Sequence, residues 1–217
     1  MAQMDEITRT ILIQDLGRLK KKFYHPDFRD LYDDKRNYHH VIQILENRGV
    51  TMESIAELVY NRQKNYTKDL SMTTVTYMLY EVLQKREVQN TIMMGIAIDI
   101  ATEQGAFAFD EDLNNQLVND KGTFGLDEVL AESISHTSGS IGLSNAYGLD
   151  IAKQGIIAKL NDEQGTERNG VKVSNTFIDD LVAHIAGATM ARIAHKYQTI
   201  TDMIEDLELS EEAYDAL

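Results

Sequence analysis

NTFIDDLVAHIAGATMARIAHK, residues 175–196, is the stretch that decides the fold. Its apolar positions recur at helical spacing, so a long helix reaching Tyr197 is expected, capped by Ser174 or Asn175. Small residues crowd it: Ala183, Ala186, Gly187, Ala188, Ala191 and Ala194. Small side chains let a second helix approach closely. Two carboxylates open the same helix. Asp179 precedes Val182, Ala183 and Ala186 by one and two turns, and Asp180 precedes Ala183, His184 and Gly187. A close helix pair here would bring carboxylates from different helices together.

The surrounding sequence is helical in character too. Among 217 residues there is one proline, Pro26, and aromatics make up 7%. Prolines break helices, so their scarcity predicts long uninterrupted ones. Alternating Val/Ile/Thr runs are rare, and an all-α, compact multi-helix domain is expected. Helical spacing predicts elements over 5–23, 38–47 (stopped by Gly49), 51–66 (capped by Thr51), 71–83 (capped by Ser71), 86–103 and 126–137, with a short one from Asp110. Residues 138–148, with three glycines, read equally as helix or turn. Residues 162–174 read as a loop.

The net charge of −14 argues against nucleic-acid binding, which needs clustered Lys and Arg. The absence of cysteine removes disulfide scaffolds, thiolate metal sites and thiol catalysis. Met1 is followed by Asp5 and Glu6 rather than by a basic-then-apolar leader, and no run approaches 18 apolar residues. A cytoplasmic location, peripheral to a membrane at most, is expected. The charge is uneven. Residues 1–49 hold nine basic and eight acidic residues, and the remainder holds 12 and 27. The expected organisation is an N-terminal helical arm (1–48), an all-α body (49–198) and an acidic helical tail (199–217).

Adjacent acidic pairs are weak signals here. Nine occur, against about six expected from composition alone. Placement on an apolar face is more informative, because a carboxylate there must be paired, protonated or metal-bound. Asp99 passes that filter, sharing a face with Val88, Ile92 and Gly95; Asp127 and Asp179 border buried faces. Converging carboxylates need a cation, and oxygen ligands without cysteine suit Mg²⁺ or Mn²⁺. An ordinary reading stands beside this one. Acids in a first helical turn are favoured by the helix dipole alone, and Asp99 could pair with Lys85 or Arg86 or cap another helix. His184, one turn after Asp180, is a candidate acid or base.

Four segments carry a family resemblance: GVTMESIAELVYNRQKNY (49–66), KREVQNTIMMGIAIDIATEQ (85–104), GLDEVLAESI (125–134) and residues 175–196. In order and spacing they resemble the soluble, Firmicutes-type branch of the phosphatidylglycerophosphatase A family. The membrane-bound enzymes of that family carry an Asp-Glu pair, an Asp before a Lys-Pro step, and an Asp-Asp pair opening a helix. The matching residues here are Asp127 and Glu128, then Asp150 with Lys153, then Asp179 and Asp180. Gln154 stands in place of the proline, and the family's glycine-rich N-terminal motif and transmembrane character are missing.

The resemblance implies a Mg²⁺- or Mn²⁺-dependent phosphomonoesterase that converts phosphatidylglycerophosphate to phosphatidylglycerol. On that reading Asp127, Glu128, Asp179 and Asp180 hold the ion, helped by Asp150 and Asp99. Lys153 neutralises a phosphate oxygen, and His184 gives a proton to the leaving alcohol. The partner is then a phospholipid phosphate. The basic stretch Arg18–Lys22 is the candidate peripheral membrane contact, and the Ala/Gly-rich helices could pack within one chain or as a homo-oligomer. Two other classes fit the same residues: an all-α Mg²⁺-dependent nucleotide pyrophosphohydrolase, and a non-catalytic metal- or ligand-binding protein that retains the fold.

Overall fold

Short-range signals start and stop most of the helices. The structure, a computed structural model, describes residues 34–122 and 124–215, and side-chain surroundings for 38–122 and 124–196. The expected helix over 5–23, with the Arg18–Lys22 stretch, lies outside those residues. Helix α1 (Asp34–Asn47) ends at Gly49, whose φ of +80° suits a residue without a Cβ. The Gly49 and Val50 amides then donate to the Glu46 and Leu45 carbonyls and close the last turn. Helix α2 (Met52–Gln63) opens on a reciprocal cap, with Thr51 Oγ1 accepting from the Ser54 amide and Ser54 Oγ accepting from the Thr51 amide, both at 3.1 Å. Ser71 caps α3 (Met72–Leu83), and Asp110 caps α5 (Glu111–Val118), which follows α4 (Arg86–Glu103).

Next come α6 (Leu126–His136), α7 (Gly139–Ala152) and α8 (Ile156–Glu163). Two antiparallel two-residue strands, β1 (Glu167–Arg168) and β2 (Val171–Lys172), interrupt the expected loop, with Glu167 opposite Lys172. Helix α9 (Ile178–Asp215) is the last described element. The all-α reading holds. The ambiguous stretch 138–148 is helical, as the first three turns of α7. Neither Ser174 nor Asn175 caps α9; that cap comes from another helix, as described below.

Helix α9 is the hub of the fold. It packs most extensively on α7, then on α3, α6 and α2. Every residue from Ile178 to Ala191 is buried. A helix surrounded on all sides can bury its whole circumference only if its neighbours come close. Gly187 provides that closeness: a Cβ built there would lie 2.6 Å from the Gly142 carbonyl oxygen and 2.8 Å from the Ala146 nitrogen, both in α7. The small-residue reading of 175–196 is therefore correct, and α7 is the partner. Residues 35–217 form one compact unit, and Val41 and Leu45 of α1 lie in its core. No helix among the described residues is long and apolar enough to cross a membrane.

Candidate metal centre

The close α7–α9 pair juxtaposes the C-terminal end of α7 and the first turn of α9. Asp150 sits in the last turn of α7, and Asp179 and Asp180 in the first turn of α9. One carboxylate oxygen from each of the three lies within 4.8 Å of the others. Asp179 and Asp180 are buried and Asp150 is half-buried. Two contacts fix the orientation of Asp179: its Oδ1 accepts the Asp180 amide at 2.9 Å, and its Oδ2 accepts from Lys153 Nζ at 2.9 Å.

Lys153 itself is set by backbone geometry. It ends α7 in the left-handed region (φ +39°), where side chains are rarely found outside Gly, Asn and Asp. That turn swings its ammonium back onto Asp150 Oδ1, at 2.5 Å, and across to Asp179. Burial would lower the ammonium's affinity for its proton, but Asp179 and Asp150 outweigh it and hold Lys153 above its usual range. The conformational cost of the turn is offset by two charge-assisted hydrogen bonds.

Two more carboxyls feel the triad. Asp127, buried at the start of α6, is raised by burial and, less strongly, by Asp150, while its Oδ1 accepts the Glu128 amide at 2.9 Å. Asp120, in the turn after α5, is pushed up to about 7 by burial, then by Asp179 and Asp127. Asp120 is the site residue that sequence reasoning missed. It adopts φ +46°, which Asp tolerates in turns, and nothing in NDKG marks it as more than a turn residue. Asp180 is raised by burial, then by Asp179, Asp150 and Asp127, because one ammonium is too little for so many carboxylates. The donor set is all oxygen, crowded and short of positive charge. It could hold a metal ion, and it fits a hard cation.

Three residues expected in the site lie outside the carboxylate triad. Glu128 follows Asp127 on α6, and the helical turn of about 100° per residue directs it outward, where it is exposed. Asp99 is fully buried but faces the backbone leading into α9, accepting from the Phe177 and Ile178 amides. The alternative reading of Asp99, as a cap for another helix, is the correct one. His184 is buried with Nδ1 2.8 Å from Ser135 Oγ and its ring edge-on to Tyr147 at 5.8 Å. Burial, against the pull of Glu132 and Asp150, pushes it down to about 4 and favours the uncharged imidazole, and the Ser135 contact ties α6 to α9. Tyr147, in turn, donates to Glu132.

The raised acids make stability depend on pH in an uncommon direction. Asp120 in the folded chain, at about 7 against 3.8 ordinarily, holds its proton more tightly than the unfolded chain does. Stability contributed by that proton is lost as pH rises from about 4 to about 7. Asp127, Asp179 and Asp180 shift the same way. His184 opposes them, since its contribution grows as pH rises between about 4 and 6.5. The carboxyls outnumber the imidazole. In EDTA the protein is expected to melt at a lower temperature at pH 8 than at pH 5, and a divalent cation is expected to raise the pH 8 value more. Thermal unfolding followed by circular dichroism checks both, and a higher melting temperature at pH 8 in EDTA would contradict the charge imbalance.

Fold and site together define a mainly helical protein with a cluster of carboxylates between helix ends that could hold a metal ion. The model of the phosphatidylglycerophosphatase A family matches residues 51–195. The chain belongs to that family. It is 41% identical over 152 residues to YutG of Bacillus subtilis, covering 70% of this chain and 87% of YutG. The crystal structure of low temperature requirement C protein from Listeria monocytogenes superposes with a TM-score of 0.66 at 40% identity, over 75% of this chain and 97% of that one. The crystal structure of YpjQ from Bacillus subtilis gives 0.68 at 35% identity, over 78% and 99%. The matched family region contains all five acids of the site and Lys153.

Proposed function

We propose that the protein hydrolyses a lipid phosphomonoester, phosphatidylglycerophosphate, to phosphatidylglycerol and inorganic phosphate. One observation carries the reading: in a chain of this family, Asp150, Asp179 and Asp180 present oxygens within 4.8 Å of one another. These three would hold Mg²⁺ or Mn²⁺. When bound, such an ion polarises phosphoryl oxygens and neutralises charge that develops on them. Lys153 holds Asp150 and Asp179 in place and offers a second positive charge to a phosphate oxygen. Asp120 and Asp127, which sense the triad but are not part of it, are the carboxylates available to take a proton from an attacking water. His184 supports the α6–α9 contact and takes no proton-transfer role. Arg18–Lys22 is the proposed contact with the lipid surface.

Phosphate release from phosphatidylglycerophosphate in mixed micelles tests the reading. Turnover is expected with Mg²⁺ and its loss with EDTA. Hydrolysis of soluble nucleotides with no action on the lipid would favour the pyrophosphohydrolase class instead. Cation binding with no turnover of any phosphate would indicate a binding protein.

A further inference from the structure

The five residues at the entry to α9, Ser174 to Ile178, are held far more firmly than a helix start requires. They are buried, at 0–3% exposure. No side chain within the segment caps the helix. Asp99 reaches across from α4 to do so. Its Oδ1 accepts from Ser174 Oγ at 3.2 Å and from the Phe177 amide at 3.2 Å, and its Oδ2 accepts from the Ile178 amide at 3.1 Å. Both oxygens face donors. An amide in place of the carboxylate would leave one acceptor oxygen where two now receive these donors.

Arg48, just past α1, grips the preceding two residues. Its Nη2 donates to the Ser174 carbonyl at 2.5 Å and to Asn175 Oδ1 at 2.8 Å, while its Nη1 pairs with Glu103 Oε1 at 2.7 Å. The same Glu103 oxygen accepts the Ser174 amide at 3.1 Å. From α8, the Leu160 carbonyl accepts from Asn175 Nδ2 at 2.8 Å, and Gln164 just past it accepts the Asn175 amide. Gln164 Nε2 also donates to the Val118 carbonyl at the end of α5, at 2.9 Å. Thr176 Oγ1 donates to the Leu117 carbonyl of α5, so four elements converge on one short segment. Gly95, one turn before Asp99, lets α4 lie against Phe177 and Leu181: a Cβ there would be 2.7 Å from Leu181 Cδ1.

A single serine at the N-cap stabilises a helix by about 1 kcal/mol. Here the Asp99 carboxyl, which burial holds well above its usual range, and the Arg48–Glu103 ion pair are largely withdrawn from water at the same helix end, and such burial is costly. Capping alone does not account for that. What distinguishes this end is its position, because Asp179 and Asp180 follow Ile178 directly. A shift of the first turn by a few tenths of an ångström would move both carboxylates relative to Asp150, which is on a different helix. We infer that Asp99 and Arg48 are positioning residues, which fix the first turn of α9 so that Asp179 and Asp180 converge with Asp150 on one cation. The inference rests on the metal-dependent reading of that triad.

Titration of the full-length chain with Mn²⁺, followed by calorimetry and by the electron paramagnetic resonance of the bound ion, tests it. The variants are Asp99→Asn, Arg48→Lys and, as a control for mere destabilisation, Val82→Ala. Val82 is fully buried in α3, next to Glu81, whose partner is Arg192. Arg192 lies twelve residues beyond Asp180 in α9, about 18 Å along the helix axis. Measurements are made where circular dichroism shows each protein folded.

Asp99→Asn and Arg48→Lys are expected to raise the Mn²⁺ dissociation constant by about tenfold or more and to alter the resonance of bound Mn²⁺. Val82→Ala is expected to lower the melting temperature and leave affinity and spectrum unchanged. Arg48→Lys keeps the charge but reaches fewer of the acceptors, and it carries the test if Asp99→Asn does not fold. Wild-type affinity in both variants would overturn the inference. So would an equal loss in Val82→Ala, which would make the effect one of stability alone. Failure of the wild type to bind Mn²⁺ at all would overturn the metal reading itself, a result distinct from binding that survives both substitutions.

Discussion

Asp180→Asn is expected to abolish cation binding and phosphate release while raising the melting temperature of the metal-free protein. The two effects share one cause. Asp180 is buried next to Asp179 and Asp150, with Lys153 as the compensating charge, and its carboxyl is held well above the usual range. Without a cation, ionising Asp180 costs free energy that an amide of the same shape does not incur. The substitution removes that repulsion and with it one of the three proposed ligands. A drop of about a hundredfold or more in hydrolysis is expected, in line with the loss of a charge-stabilising group at a reacting centre. Melting in EDTA at pH 8, with Mn²⁺ titration and phosphate release on the same sample, reads all three quantities. Unchanged metal affinity would remove Asp180 from the site. A marked fall in the EDTA melting temperature would show that Asp180 is stabilising, contrary to its surroundings.

Asp180 also shows how far the sequence could be read. Its helix, the small residues after it and the need for a close partner helix were all visible, because a 3.6-residue period and a run of Ala and Gly are local properties. The caps at Thr51, Ser71 and Asp110 were visible for the same reason. Helix α8 was not. It begins on Gly155, whose side chain cannot cap, so no start signal precedes it. The α7 segment was ambiguous because its glycines oppose a helix by propensity, and the atoms that crowd Gly142, those of Ser135 and Ser138, are not evident from the segment's own period.

The site divides in the same way. Asp99, Asp127 and Asp179 were picked out because each lies on an apolar face, and all three are buried. What each one faces is set by contacts far apart in sequence. Asp99 meets backbone amides 78 and 79 residues later. Asp120 gave no signal, because a turn aspartate and a site aspartate have the same local sequence. The Asp127–Glu128 pair carried one signal for two residues, and helical geometry sends them to different environments.

Gly187→Ala is expected to destabilise the protein by about 3 kcal/mol or more, the upper end of what overpacking costs. By helix propensity alone the change should be favourable by about 1 kcal/mol, so the sign decides which effect wins. The new methyl would sit 2.6 Å from the Gly142 oxygen, 2.8 Å from the Ala146 nitrogen and 2.9 Å from the Ala146 Cβ. Two of those three atoms are backbone, which cannot move aside as a side-chain tip can, so α7 as a whole must shift. Gly148→Ala, in the same helix α7, is the control. There the methyl meets only Arg62 Nη2, at 3.2 Å, the end of a flexible side chain. That variant should be neutral or slightly stabilised. Denaturant unfolding of the two variants in parallel reads the difference. The consequence reaches the site, because α7 carries Asp150 and α9 carries Asp179 and Asp180. Displacing α7 widens the triad, so whatever fraction of Gly187→Ala folds should bind Mn²⁺ more weakly than Gly148→Ala. Wild-type stability in Gly187→Ala would mean that α7 and α9 do not approach this closely, and the convergence of the three carboxylates would lose its structural cause.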